Sequence, residues 1–182
     1  ATVEGESYEE LEWLMGINYW GVVYGTKEFL PYLKQSGEGH IINTSSIFGL
    51  TSQPTQSAYN SSKFAVRGFT ESLRQELDIE NCGVSALCVH PGGIRTNIAN
   101  DARLSDSMKK IGMNPEKSIK SFNKLMRKPA VEASQEILDA VLKNKRRLLI
   151  GGDAVTVDLM QRILPTGYQK IVTIATKLSK RF

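Results

Sequence analysis

Tyr59 and Lys63 stand four residues apart in Ser57-Ala-Tyr-Asn-Ser-Ser-Lys-Phe-Ala-Val-Arg-Gly-Phe, and Ser46 lies thirteen residues before the tyrosine. On a helix, positions i and i+4 share one face, which places the Lys63 ammonium beneath the Tyr59 phenol, where a cation favours phenolate. A free tyrosine titrates near pH ~10, so proton exchange with a carbonyl or alcohol at neutral pH needs a shift of about 3 units, roughly 4 kcal/mol. A desolvated ammonium, helped by a positively charged cofactor ring, can supply that much. Ser46 adds a hydroxyl able to orient a substrate carbonyl and stabilise its developing negative charge. The chemistry such a trio suits is hydride transfer.

The tyrosine-lysine pair alone is weak evidence. With six Tyr and fourteen Lys in 182 residues, chance gives about 0.5 occurrences of this spacing. Its surroundings carry the argument. Gly39-His-Ile-Ile-Asn-Thr-Ser-Ser-Ile-Phe-Gly49 reads as a short apolar strand ending in two hydroxyl residues, at the end of a parallel strand where open α/β sheets bind ligands. Ser45 is expected to satisfy backbone groups at the strand end, and Ser46 to act. Val84-Ser-Ala-Leu-Cys-Val-His-Pro-Gly-Gly-Ile-Arg-Thr96 is a second apolar run, stopped by Pro91 and Gly92, which allow close backbone approach to a ligand. Asn18 falls within a long helix-like segment.

In order and spacing, Asn18, Ser46, Tyr59, Lys63 and Pro91 to Thr96 closely resemble the short-chain dehydrogenase/reductase family. The resemblance runs from about Tyr8 to Ile150, with its motifs concentrated between Asn18 and Thr96. It implies a three-layer, doubly wound parallel sheet of Rossmann type. It also implies that Tyr59 exchanges the substrate proton, that Lys63 tunes Tyr59 and holds the nicotinamide ribose, and that Asn18, through its helix backbone, holds a water connecting Lys63 to solvent. Pro91, Gly92, Ile94 and Thr96 would border the nicotinamide, with the Ile94 backbone and Thr96 hydroxyl near its carboxamide. The cofactor would be NAD or NADP. The residues that choose between them would follow an earlier strand that is absent here.

Proteins of this kind carry a Thr-Gly-x-x-x-Gly-x-Gly turn before the catalytic half, and later an Asn-Asn-Ala-Gly strand end; neither motif occurs in this sequence. The chain therefore reads as the carboxyl-terminal two-thirds of a longer enzyme. Its sheet is expected to have an unpaired edge and an exposed apolar face.

The elements that must position the site follow from periodicity: helix over 7–34, strand 40–45, helix 58–80, strand 84–89, a lid-like segment 97–128, helix 130–143, strand 147–151 and a tail. Ser7 with Glu10 forms a capping box, and Pro31 should kink or end the first helix. Alternating strands and helices argue for parallel pairing. Residues 1–154 make one catalytic body, and 155–182 an amphipathic basic tail. Composition, 41% hydrophobic with no bilayer-spanning run and no signal peptide, suits a soluble, cytoplasmic domain. Cys82 and Cys88 do not make a disulfide framework, and His40 and His90 stand isolated beside strands, which argues against a metal site.

Between Asn97 and Lys128, Ile98, Leu104, Met108, Ile111, Met113, Ile119, Phe122, Leu125 and Met126 interleave with lysines and arginines. Either these are short amphipathic helices walling a lipophilic alcohol or ketone pocket, or they are core methionines under a solvated basic face. In the tail, Val155, Leu159, Met160, Ile163 and Leu164, then Ile171, Val172, Ala175 and Leu178, repeat at helical spacing with Lys170, Lys177, Lys180 and Arg181. That stripe suits packing on the domain or a second subunit, with peripheral contact at a membrane surface as the alternative. The net charge of +4 comes without aromatic interleaving or a recognition motif, so nucleic acid is not expected. The family resemblance implies a homodimer or homotetramer through the helices at 7–34 and 58–80. Two further readings remain open beside the oxidoreductase: a catalytically silent binding relative, and a membrane-surface or assembly protein organised by the tail.

Overall fold

The computed structural model describes residues 1–179. Three parallel strands form the central sheet in the order β1 (Gly39–Thr44), β2 (Val84–Pro91), β5 (Arg147–Ile150). β2 is central and buried along nearly its whole length, so its sequence is mostly apolar rather than alternating, with Ser85 and His90 as buried polar residues. Its side chains still divide between two faces. Val84 and Ala86 pack with Ile41, with Leu73 and Leu77 of α3 (Ser57–Glu80), and with Leu30 and Leu33 of α2 (Gly21–Ser36). Leu87 and Val89 pack with Leu148, Ile150 and α5 (Ala130–Leu142) on the opposite face. Helices on both faces of a parallel sheet give the three-layer α/β architecture. Right-handed crossovers then bring the ends of β1 and β2 together at one rim.

The first helical segment differs from a single helix ended at Pro31. α1 (Tyr8–Met15), with its Ser7–Glu10 capping box, runs into one π-helical turn over Gly16–Trp20, where the Gly21 N–H bonds the Gly16 carbonyl, and α2 follows. Pro31 lies inside α2, which continues to Ser36 and stops at Gly37 in the left-handed conformation. The irregularity sits at Asn18, thirteen residues before the proline.

Among the described residues β1 has no neighbour on its outer side. A groove of about 350 Å³ runs there between α2 and the strand, lined by Val22, Phe29, Leu33 and Ile41 among others. Ile42, on the strand's opposite face, is 40% exposed. The unpaired edge and apolar face expected from the sequence are both present.

After β2 the chain makes a small second pairing, β3 (Ile94–Arg95) with β4 (Lys128–Pro129), which clamps the two ends of the lid segment. Between them lie a 3₁₀ turn (Asp106–Ile111) and α4 (Pro115–Leu125), whose Asn114 cap accepts from the Lys117 N–H. The Arg103 guanidinium lies 3.7 Å from the Trp13 ring centroid and ties the lid to α1.

The tail is two helices, α6 (Gly152–Ile163) and α7 (Tyr168–Ser179), so the sequence boundary at 154 falls within α6. One face docks on the domain: Ala154, Asp158 and Tyr168 are buried, and the Tyr168 hydroxyl accepts from the Ser52 N–H at 3.2 Å. Val155, Leu159 and Ile163, then Ile171, Ile174 and Leu178, remain exposed. Lys180 and Arg181 lie outside the described residues. No described helix is long and apolar enough to cross a membrane.

Candidate active site

Tyr59 and Lys63 stand one helical turn apart near the start of α3, on the face turned toward the carboxyl ends of β1 and β2. The Lys63 ammonium lies 5.7 Å from the Tyr59 ring centroid and donates to the Thr44 carbonyl, the last of β1, at 3.1 Å. Ser46 leaves β1 in an extended conformation and is buried. Its hydroxyl accepts from the Phe48 N–H at 3.1 Å and acts on the Tyr59 phenol, opposing the rise in its pKa. Ser46, Tyr59 and Lys63 therefore meet at one point, as their spacing predicted. Ser45 faces the other way and donates to the Lys63 carbonyl at 2.8 Å, a purely structural bond. Gly49 permits that approach, because a Cβ there would sit 2.8 Å from the same carbonyl oxygen.

The electrostatics depart from the sequence argument. Burial pushes the Tyr59 phenol above its ordinary value, against a smaller opposing effect of the Ser46 hydroxyl. Burial likewise pushes the Lys63 ammonium below its ordinary value. The expected activation of Tyr59 by Lys63 is not built into the chain's own geometry, for a physical reason. The ammonium is directed at the Thr44 carbonyl, and desolvation acts on both groups against charge.

Asn18 lies in the π-helical turn and reaches α3 through its side chain, with Nδ2 donating to the Ser62 hydroxyl at 3.1 Å. Ser62, fully buried, donates in turn to the Tyr59 carbonyl at 2.8 Å. Asn18 is thus brought to the site's back wall. Single π turns interrupt the regular carbonyl pairing of a helix and are frequent at functional sites.

The Pro91–Thr96 loop closes the opposite side. The Gly92 N–H bonds the Ile150 carbonyl at 2.9 Å, and the Gly93 N–H donates to the Asp153 carboxylate at 2.6 Å. A Cβ on Gly93 would collide with the Leu125 carbonyl, so the end of α4 rests directly on this loop. The Ile94 N–H is taken by the Gly92 carbonyl at 3.0 Å, and Thr96 is exposed. A lysine and a tyrosine on one helix face opposite a glycine-bearing loop fit the nicotinamide end of a dinucleotide. Gly16, Gly21 and Gly25 lie within helical turns rather than at a strand-to-helix bend, so no pyrophosphate cradle is formed by the described residues.

Sequence reasoning missed several residues. The Phe48 ring stands edge-on to Tyr59 with centroids 6.0 Å apart, and Phe122 of α4 lies 6.4 Å from Phe48. Together they form an apolar wall beside the phenol. Phe48 was detectable only as the residue two after Ser46, and Phe122 only as one apolar residue among nine in the lid. At 100° per residue, Lys120 and Lys124 project from the side of α4 opposite Phe122, and both are exposed. The basic residues of α4 are thus a solvated face, while Ile119 and Phe122 are half-buried and Leu125 is exposed. Cys88, buried against α3, has its thiol pushed up to about 12 by burial, which leaves it inert as a nucleophile at neutral pH.

Comparison with known proteins agrees with this geometry. The family model for short chain dehydrogenase matches residues 2–107. A Mycobacterium tuberculosis protein named as an oxidoreductase, SadH, is 42% identical over 171 residues, 93% of this chain and 60% of that protein. The mouse dehydrogenase/reductase SDR family member 7B is 33% identical over 154 residues, covering 85% of this chain and 45% of the relative. Among solved structures, a short-chain dehydrogenase from Streptomyces avermitilis superposes with a TM-score of 0.75 at 26% identity, over 99% of this chain and 66% of that one. A Burkholderia phymatum short-chain dehydrogenase/reductase in complex with NAD gives a TM-score of 0.74 at 24% identity, over 90% of this chain and 62% of that one. The sheet and its helices define an α/β protein of Rossmann type. The chain belongs to the short-chain dehydrogenase/reductase family, and it spans about 60% of the length of its mycobacterial relative.

Proposed function

We propose that the protein containing this chain is an NAD- or NADP-dependent oxidoreductase acting on an apolar alcohol or ketone. The observation that carries the reading is the convergence of Tyr59, Lys63 and Ser46 at the carboxyl end of the sheet, with the Lys63 ammonium 5.7 Å from the Tyr59 ring centroid and bonded to the Thr44 carbonyl. When bound, the nicotinamide supplies the hydride donor or acceptor. Tyr59 Oη gives the proton to, or takes it from, the substrate oxygen. Ser46 donates its hydroxyl to that same oxygen and orients it. Lys63, held at the Thr44 carbonyl on the same helix face, is the residue that would hold the ribose hydroxyls. Asn18, through its π-helical backbone, keeps a solvent path to Lys63. Pro91, Gly92, Ile94 and Thr96 border the nicotinamide, and Phe48 with Phe122 accounts for an apolar rather than a sugar substrate.

Solved relatives in complex with NAD and with NADP support either cofactor. Trp13, Trp20 and Tyr24 are exposed along α1, the π turn and α2, which supports a homodimer or homotetramer through that face. The test is nicotinamide absorbance at 340 nm with the whole protein and a panel of aliphatic and aromatic ketones and alcohols. Turnover should be found with one cofactor and lost in Tyr59→Phe. Full turnover in Tyr59→Phe would show that the proton takes another route.

A further inference from the structure

Ser46 is held at its hydroxyl by the groups already described, but the hydroxyl can point in one direction only if the backbone behind it is fixed too. The β1–β2 ladder pairs residues up to Thr44 opposite Val89, and one further bond follows, from the Ser45 N–H to the Val89 carbonyl at 2.8 Å. There the backbone ladder ends. The Ser46 carbonyl lies beyond the ladder's end and accepts from the Gly49 N–H at 3.0 Å, a bond within its own turn that does not tie it to β2. Its tie to β2 is a side chain: His90 Nδ1 lies 3.0 Å from it.

A carbonyl oxygen only accepts, so Nδ1 carries the proton, and in the neutral ring Nε2 is left with a lone pair. Nε2 is buried and has no hydrogen-bond partner among the described residues. The ring has no exposed surface, and burial, aided by Arg147 and Arg67 and opposed by the Ser46 carbonyl and Glu71, pushes its pKa down to about 4. The ring is neutral at working pH, and its tautomer is set by one bond. His90 also immediately precedes Pro91, so the same residue belongs to the loop on the far side of the site.

We infer that His90 is a positioning residue, whose Nδ1–H ties the Ser46 carbonyl to β2 beyond the end of the backbone ladder and thereby fixes both the aim of the Ser46 hydroxyl and its spacing from the Pro91–Thr96 loop. The catalytic part of this statement rests on the oxidoreductase reading; the hydrogen bond does not.

Two substitutions in the whole protein separate positioning from packing. Asparagine places an amide donor near where Nδ1 stands, while leucine fills the volume and donates nothing. His90→Leu should lower kcat on the order of 10- to 100-fold, as loss of a group that orients a reacting residue does, with KM and cofactor affinity nearly unchanged. His90→Asn should recover most of that loss. Wild-type kcat in His90→Leu, or a loss that Asn does not recover, overturns the inference. If His90→Leu does not fold, nitrogen-15 NMR of the wild-type histidines decides, with the His90 signal assigned by its absence from His90→Asn. An Nδ1–H tautomer that stays neutral from pH 8 to 5 supports the tie, whereas an Nε2–H tautomer or titration near 6.5 refutes it. A protein with the Nδ1–H tautomer but no turnover with either nicotinamide would retain the tie and lose the oxidoreductase reading.

Discussion

The two ends of α3 are built from different chemistry. Its first two turns commit their side chains to hydrogen bonds, Asn60 to the Gln53 carbonyl at 2.9 Å, Ser62 to Asn18 and Lys63 to Thr44, with Tyr59 beside Ser46. Its later turns commit theirs to apolar contact, with Leu73 and Leu77 set against Ile41, Val84 and Ala86. The amphipathic period of the helix is the same throughout, so the change lies in what it faces. The early turns meet the carboxyl ends of the strands, where backbone groups run out of ladder partners. The late turns meet the strand bodies, where side-chain surface is most of what is left to bury and polar ties are few, Arg74 to the Ala86 carbonyl at 3.2 Å and Thr70 to Asn43 at 3.1 Å. Function and stability are therefore divided along one helix, and a substitution at either end should affect one and spare the other.

The largest effect should come from the first end. Tyr59→Phe removes one oxygen and keeps the ring against Phe48, so the melting temperature should hold within a few degrees while kcat falls about 1,000-fold, the scale of a lost general acid or base. Steady-state kinetics and a melting curve on one preparation check both halves. Leu77→Ala tests the other end. Leu77 is 2% exposed in the core cluster, and its truncation should cost about 2–5 kcal/mol in denaturant unfolding while the surviving folded molecules turn over normally. If Leu77→Ala instead lowered turnover per folded molecule, the two ends would be coupled through the helix and the division would fail.

His90 sharpens the comparison by pH. It lies on the α3 face of β2 at the site end, and its folded pKa of about 4 is below the ordinary 6.5. A base with a depressed folded pKa is protonated only in the unfolded chain between those two values, so stability falls as pH drops from 6.5 toward 4. The full difference is about 3 kcal/mol. Urea unfolding at pH 7 and pH 4.5 should therefore show a steeper loss in wild type than in His90→Asn. Equal slopes would mean that His90 is not buried as a neutral ring.

The trio, the parallel sheet and most element bounds were legible in the sequence, because local spacing and apolar runs determine them directly. The helix at 58–80 appears as Ser57–Glu80 and the strand at 84–89 as Val84–Pro91. What was not legible depends on partners distant in sequence. Pro31 suggested where the first helix would fail, yet the helix changes register at Asn18 instead. Nothing in Gly16-Ile-Asn-Tyr-Trp20 announces a π turn, which is stabilised here by a bond from Asn18 to a residue forty-four positions away. The direction of the Tyr59 shift depends on burial, which spacing does not reveal. Phe122 and His90 were visible as residue types, but only the folded lid and the end of the β1–β2 ladder give them work.

The smallest effect should come from the edge of the sheet opposite the open one. There Asp158 of α6 accepts from Arg147 of β5 at 2.6 Å and from Arg162 one turn on at 2.8 Å, with 12% of its side chain exposed. Burial works to raise its pKa, but the two guanidiniums outweigh burial and hold it below the ordinary 3.8. Asp158→Asn should cost about 1–2 kcal/mol, the scale of a partly screened charged hydrogen bond. A carboxyl with a depressed folded pKa contributes stability above its unfolded value and loses it below. The gap between wild type and Asp158→Asn should thus be full at pH 6 and shrink as pH falls through 3.8. Because α6 also presents Asp153 to the Gly93 N–H, loosening the helix offers a path from this edge to the site. Turnover of Asp158→Asn close to wild type would confine the ion pair to stability, and a raised KM for the nicotinamide would show that the edge holds the Pro91–Thr96 loop in place.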